Sequence, residues 1–499
     1  MGAGRSAPQT ERADGWVAAI PLGLALASYA WIIRVGFRGD DFLHLYDLSN
    51  SGPLRFVLSS FGGHPYAVRN AVFWGMRTLF GLHAPLYMAA VLATHLLNVF
   101  LCYRTGTQLT DDRYASSAAA TFWGTMPSAG VTLCWYSVYG QVLGTTALAT
   151  ILALVTRSRS EHRALGTASV FACVLLSWIG AFCFGTGLAV AFVLPAVVVL
   201  LAPGLLTRSL PVLLLATAPI GLAILVVAYT RLSMRVAGLE ATEIRWIVAF
   251  AAMWRENGVL FLRLLLDAPS DLLLGTLYVA EPPPRALGCA VLAGLVIFAV
   301  ARARSRVLTL RRIVALAMCM LAAYAAIAAG RGWLKQSRMD MARYQYLATL
   351  PLALVLAIAL AEVGRGRSVA VRRRALIVCA LVLSLALVRR GWLPPVGVGP
   401  RQLQELRAGM RTAIGAEPPG TTSYLRNGAF PAAGQPVDGV TPGFPGRAAL
   451  FCILFPDDLV DGRRVRFVED NPEVRAAGAP GQRIAALLVD APPPGAIVR

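Results

Sequence analysis

The sequence is poor in charge. Only 14% of its 499 residues are Asp, Glu, Lys or Arg, against about 25% in soluble domains. Acids are the scarcer sign, 26 against 46 strong bases. Lysine occurs once, as Lys335, and every other strong base is arginine. With 57% hydrophobic residues and a mean hydropathy of +0.62, a water-soluble fold has too little polar surface to cover its core. Several chemical signatures are missing as well. There is no P-loop, no dinucleotide fingerprint, no G-x-S-x-G and no H-E-x-x-H. The eight cysteines (102, 134, 173, 183, 289, 319, 379 and 452) include no C-x-x-C and no zinc-ligand spacing. Seven lie in or beside apolar runs, where Cys acts as a small hydrophobe. Neither a disulfide framework nor a metal site is expected, and no cofactor. No internal repeat is visible.

What is present is a succession of apolar runs of about bilayer length. They cover 16–33, 84–103, 115–131, 139–156, 164–182, 187–202, 210–229, 285–301, 313–329, 348–361 and 375–388. The chain therefore reads as an all-α polytopic membrane protein with about eleven transmembrane helices. The first run reads as a signal anchor, because it continues past the faint Ala25-Leu26-Ala27 cleavage pattern to Ile33. Short arginine-dense loops at 157–163, 302–312 and 365–374 read as cytoplasmic. Counting from a cytoplasmic tail at 1–15, loops 34–83, 230–284 and 330–347 fall outside. The net charge of +20 is thus mainly an orientation signal rather than a nucleic-acid footprint. Compact loops and the preference for Arg over Lys suggest a bacterial plasma membrane.

Three regions depart from this pattern. Residues 253–280 are apolar but carry Arg255, Glu256, Arg263, Asp267 and Asp271. A span there would invert the downstream arginine clusters, so the stretch reads as interfacial or re-entrant. In 53–80, Val68, Val72, Met76 and Leu79 form a helical stripe, with Arg69 and Arg77 off it, as in a helix lying on the outer interface. From 391 to 499, prolines and glycines surround a helical pattern at 401–414. Strand-like runs follow at 421–425, 449–455, 464–468 and 483–488. This reads as a small extracytoplasmic α/β domain, separate from the transmembrane body at 16–390.

Candidate chemistry gathers at the outer ends. Asp40 and Asp41 follow the first span by about six residues. Desolvation raises a carboxylate's pKa, which suits a general base; either residue also suits a helix cap. Lys335, Arg338 and Arg343, with Tyr344, put cations on the side that the charge rule disfavours. They suit a lipid phosphate or anionic headgroups. His64, Arg69, His95 and Trp135 are candidate substrate contacts. His95 lies inside a span, where it serves either a site or a bond between helices. Trp135 is either a belt aromatic or part of a shelf for a sugar or prenyl chain.

The layout resembles the membrane glycosyltransferases of the GT-C fold, and in particular the protein O-mannosyltransferase and aminoarabinose-transferase group. The likeness rests on the outer acidic pair, Thr94-His95-Leu96-Leu97-Asn98, Phe122 to Pro127 with Trp135-Tyr136-Ser137, and Arg343-Tyr344-Gln345-Tyr346-Leu347 before Pro351. It implies transfer of a sugar from a polyprenyl-phosphate-linked donor to an acceptor hydroxyl on a protein, lipid or glycan at the outer membrane face. One carboxylate, by preference Asp40, is the implied base. Arg343, Tyr344 and Lys335 are the implied donor-phosphate contacts, and inversion the implied stereochemistry. Pro351 comes late for the motif, and the pair is Asp-Asp where Asp-Glu is usual, which leaves the sugar open. A secondary transporter or flippase and a non-catalytic envelope-assembly protein are the alternatives. A transporter tends to carry acids at mid-membrane, and these spans have almost none.

Overall fold

The computed structural model describes residues 15–38, 40–60, 64–160, 165–237, 254–277, 284–331, 342–390, 400–415, 422–426, 459–460 and 463–468. The body is helical. Among the described residues, seven helices are long and apolar enough to cross a membrane: 15–34, 84–110, 136–157, 209–233, 285–302, 306–329 and 345–364. Two shorter apolar helices, Thr167–Ala181 and Gly185–Leu201, accompany them. In chain order the helices are α1 (Gly15–Tyr29), α2 (Asp40–Ser51), α3 (Pro53–Leu58), α4 (Ala67–Phe80), α5 (Ala84–Thr110) and α6 (Arg113–Gly124). Then come α7 (Pro127–Leu133), α8 (Tyr139–Ser160), α9 (Thr167–Ala181), α10 (Gly185–Leu201) and α11 (Ser209–Ala237). The remainder are α12 (Trp254–Leu274), α13 (Arg285–Arg302), α14 (Arg306–Arg331), α15 (Gln345–Gly364), α16 (Val369–Arg390) and α17 (Pro400–Gly415).

The bundle is organised around α15. This helix is apolar all round, the pattern of a helix enclosed on every side. Its residues from Gln345 to Ala359 are all buried. Close packing elsewhere relies on glycine. A Cβ on Gly187 of α10 would stand 2.1 Å from the Gly180 carbonyl of α9, and one on Gly140 of α8 2.1 Å from the Cys183 carbonyl. Small residues let membrane helices approach closely. Here they bring the α9–α10 turn, with Phe184, against the start of α8.

The third apolar run, read as one span over 115–131, is broken in the structure. Pro127 opens α7, and Met126 before it is extended at φ −59°, ψ 124°, as a residue preceding proline prefers. The break frees carbonyls that a bilayer cannot hydrate. Each finds a partner. His95 Nε2 meets Gly124 O at 3.1 Å, Thr276 Oγ1 donates to Thr125 O at 3.1 Å, and Tyr29 Oη donates to Met126 O. Because Nε2 of His95 donates, its Nδ1 accepts from Tyr346 Oη at 2.7 Å.

The stretch with mixed charges forms α12, which carries five charged residues and is not one of the seven. Asp267 accepts from Arg285 Nε and Nη2, the Nη2–Oδ2 contact at 3.2 Å. Ser270 Oγ donates to Pro284 O at 3.0 Å. In α4 the buried residues are Arg69, Asn70 and Phe73, while Leu79 of the apolar stripe is 74% exposed. The stripe is therefore split: Val72 and Met76 pack against the core while Leu79 is exposed, and Arg69 points into the protein. Beyond the bundle, α17 matches the pattern at 401–414. Strand β1 (Thr422–Arg426) runs parallel to β3 (Arg463–Val468), and β2 (Leu459–Val460) antiparallel to it, in the order β1-β3-β2. Expected strands at 449–455 and 483–488 lie outside the described residues, as does the tail 1–14.

Replacing His95 by Leu keeps the volume but removes the side-chain donor to Gly124 O and the acceptor of the Tyr346 hydroxyl proton. An unmet buried polar group costs about 1–3 kcal/mol. The variant is expected to melt several degrees lower in detergent, as read by differential scanning fluorimetry; an unchanged melting temperature would refute this role.

Candidate functional site

The first outer loop enters α2 with Asp40 and Asp41 in its first turn. Acids are favoured there because the helix N-terminus is partly positive. The two differ in environment. Asp41 is fully buried, and its oxygens are occupied. Oδ1 accepts from the Ser137 backbone N–H at 2.6 Å and from Ser137 Oγ at 2.5 Å. Oδ2 accepts from the Arg38 backbone N–H at 3.0 Å. Burial pushes its pKa up to about 6, against the opposing hydrogen bonds from Ser137 and Arg38. Asp40 is half-exposed. Of the pair, it is the more accessible.

Behind the pair lies a buried arginine. Arg69 is 1% exposed. Its Nη1 donates to Asn70 Oδ1 at 2.7 Å, and its Nη2 to Ser137 O at 3.1 Å and His44 Nε2 at 2.5 Å. The guanidinium carbon lies 4.4 Å from the Tyr66 ring centroid. Burial lowers the Arg69 pKa, while nearby Tyr66, Asp41 and Asp40 act to raise it. His44 is held well below its usual pKa by burial and then by Arg69. It is therefore neutral and accepts the guanidinium proton. Ser137 joins the two charges: its N–H and hydroxyl bind Asp41, and its carbonyl binds Arg69.

Two further arginines stack on one aromatic ring beside this joint. The guanidinium carbons of Arg38 and Arg343 lie 5.2 and 4.8 Å from the Trp135 ring centroid. Arg343 also lies 5.0 Å from the Tyr344 ring centroid. The turn before α15 is fixed by Thr132 Oγ1, which donates to Arg343 O at 2.8 Å. Two N–H donors here are buried with no hydrogen-bond partner, Arg343 Nε and Trp135 Nε1. Native proteins rarely leave such groups unpaired, and an anion would satisfy both. The shelf continues through His64, which stacks on Phe184 with centroids 4.7 Å apart. Phe184 in turn lies 6.5 Å from Tyr344.

The fold thus gathers Asp40, Asp41, Arg69, Trp135, Arg343, Tyr344 and His64, which are spread over 305 positions of sequence. His95 is not with them; it holds the break of the third span. Lys335 and Arg338 lie outside the described residues. Sequence reading missed Ser137, Arg38 as a cation, His44 and Phe184. A serine following two aromatics carries no signal of its own. Arg38 stood inside the motif containing the acids, and its stacking on Trp135 required the fold. Among the described residues, no group of three His, Cys, Asp or Glu side chains is placed to hold a metal ion.

The sequence matches no protein-family model and no curated protein. The structure does have a counterpart. The chain superposes on ArnT from Cupriavidus metallidurans, solved bound to undecaprenyl phosphate, with a TM-score of 0.51 and 12% identity, over 96% of this chain and 90% of that one. The chain has the fold of that membrane protein, and so the GT-C architecture that the sequence motifs implied.

Asp41 supplies a pH test. Its folded-state pKa is raised from 3.8 to about 6, so the folded state binds its proton more tightly than the unfolded chain. The stabilisation from that proton is complete below the lower value and lost as pH rises to the upper one, a change of roughly 3 kcal/mol. Asp41→Asn lacks this loss. Its melting temperature relative to wild type is expected to rise between about pH 4 and about pH 6.5; parallel profiles would show that Asp41 does not titrate there.

Proposed function

We propose that the protein transfers a sugar from a polyprenyl-phosphate donor to an acceptor hydroxyl at the outer face of the membrane. The observation that carries this reading is the pair of buried, unpartnered donors, Arg343 Nε and Trp135 Nε1, beside the Asp40–Asp41 turn. They form an anion cradle next to a carboxylate, at the head of a lipid-embedded bundle. The fold shared with a protein solved bound to undecaprenyl phosphate supports a lipid-phosphate ligand.

In this mechanism Asp40 accepts the proton of the acceptor hydroxyl as its oxygen attacks the anomeric carbon. The bond from that carbon to the phosphate oxygen breaks, and polyprenyl phosphate leaves with the bonding electrons. Attack opposite the leaving group inverts the anomeric centre. Arg38 and Arg343 meet the charge that grows on the phosphate, a preorganised form of stabilisation. The leaving phosphate needs no general acid. Asp41 positions the reaction without touching substrate: its bonds to Ser137 and Arg38 fix the turn that presents Asp40. Arg69 holds the other side of Ser137. His64, Phe184 and Tyr344 form the adjoining aromatic wall for the sugar or the prenyl chain. With the arginine-dense loops in the cytoplasm, the N-terminus is inside and the 391–499 region outside.

The test uses purified protein in nanodiscs with polyprenyl-phosphate sugars, following release of polyprenyl phosphate. A general base contributes about 10²–10⁴-fold, so Asp40→Asn is expected to lower kcat by that amount without lowering the melting temperature. Full turnover in Asp40→Asn would overturn the assignment. Arg343→Ala removes a charged hydrogen-bond donor and is expected to weaken donor binding by about 10- to 100-fold. Unchanged donor affinity would remove Arg343 from the phosphate site.

A further inference from the structure

A second cavity lies at the opposite end of the bundle. Helix α5 has 27 residues and is about 40 Å long. Its N-terminal half packs on the site, where Thr94 Oγ1 meets Tyr139 Oη at 2.6 Å. Its C-terminal end leads through Asp111 into Asp112, the cap of α6. Beside that cap is a crevice of about 450 Å³ between α6, α15 and α16.

The crevice has two chemical parts. Its length is apolar, walled by Phe122, Ala118, Leu360 and Leu376 among others. Its mouth is cationic, with Arg367 and Arg372 at the turn between α15 and α16. Val363 and Val371, also lining it, are 40% and 47% exposed, so the apolar part opens toward the surface that faces lipid.

The acids nearby offset only part of the mouth's charge. Asp112 Oδ2 accepts from Arg372 Nη1 at 2.7 Å. Its Oδ1 is committed to the Tyr114 and Ala115 N–H groups, at 2.9 and 3.1 Å. Glu362 is paired with Arg365 at 2.6 Å. Arg372 keeps a buried Nε with no hydrogen-bond partner, and Arg367 is exposed. A single-tailed or double-tailed amphiphile with an anionic head matches both parts: the chain lies along the wall, and the head takes the free guanidinium donors. Basic pockets between membrane helices are a known way of holding acidic lipids.

We infer that this crevice binds an anionic phospholipid, head at Arg367 and Arg372 and acyl chain along α6 and α16. The site is remote from Asp40 and contains no carboxylate free to act as a base. It serves binding and not transfer, and it does not depend on the proposed sugar chemistry.

The test measures bound phospholipid on the purified full-length protein, titrated in detergent with phosphatidylglycerol or phosphatidylcholine. Phosphatidylglycerol is expected to bind preferentially and to raise the melting temperature, with inorganic phosphate giving no shift. Arg367→Gln, at an exposed position, should weaken phosphatidylglycerol binding about fivefold, the effect of one interfacial cation. Ala375→Phe, also exposed, fills the crevice with the charges intact and should abolish the preference. Equal binding of both lipids, or a preference untouched by either variant, would overturn the inference. So would a shift from inorganic phosphate as large as that from phosphatidylglycerol.

Discussion

A hydrocarbon layer has no water to offer a bare carbonyl, and much of this architecture follows from that. Pro127 breaks the third span and frees the carbonyls of Gly124, Thr125 and Met126. Helices α1, α5 and the end of α12 each send one donor to the break, from Tyr29, His95 and Thr276. Three distant segments are thereby locked to one point. The chain that leaves the break is then held rigidly, through α7, up to Trp135, Tyr136 and Ser137. A continuous helix would have carried those residues around its own axis. The break lets them turn across the end of the bundle, where the acidic turn of α2 meets them.

That meeting sets the two carboxylates in different environments. Asp41 is surrounded by donors from Ser137 and Arg38 and has no oxygen left for a substrate. Ionising it in a buried place is costly, and three hydrogen bonds and the nearby Arg38 charge recover only part of that cost. Asp40 sits one residue earlier, half in solvent, and inherits a fixed position from its neighbour. Adjacent residues of the same type thus take different roles. One is held by its hydrogen bonds, and the other stays partly accessible, as the proposed base must be. Arg69 makes the arrangement more rigid, since Ser137 is gripped through its N–H and hydroxyl on one side and its carbonyl on the other.

The class of fold was legible because it rests on one-dimensional quantities: run length, hydropathy and the placement of arginine. Helices over 210–229, 285–301 and 348–361 appear in the structure within longer elements. The break in the third span was not read, although Pro127 stood in plain view, because proline is tolerated in membrane helices when neighbours resatisfy the backbone. The candidate site was legible where chemistry is unusual for its surroundings: two acids in an acid-poor chain, and an arginine in a segment read as outer. It was illegible where the residue is ordinary. Ser137 matters only because Asp41 arrives beside it from 96 positions away. His95, a histidine in a span, reads as serving either a site or a bond between helices, and in the structure it bonds Gly124 O and Tyr346 Oη. Sequence could show that it needed a partner but not which one.

Both ends of the bundle stack arginine on aromatic rings, and the comparison sharpens what makes a site. At the far end Arg372 lies over Tyr114 and Arg373 over Trp16, with centroid distances of 5.8 and 5.1 Å. At the near end Arg38 and Arg343 lie over Trp135. In each place the ring gives the guanidinium an apolar seat and leaves its edge available for an anion. The difference lies in the carboxylates. Asp112 is paired with Arg372 and caps a helix, and Glu362 is paired with Arg365 through one oxygen, so each acid at the far end has an arginine against it. At the near end Asp41 is taken up by its hydrogen bonds, but a second acid stands next to it. Under the proposed function, that second aspartate is what would let this end of the bundle take a proton from a hydroxyl.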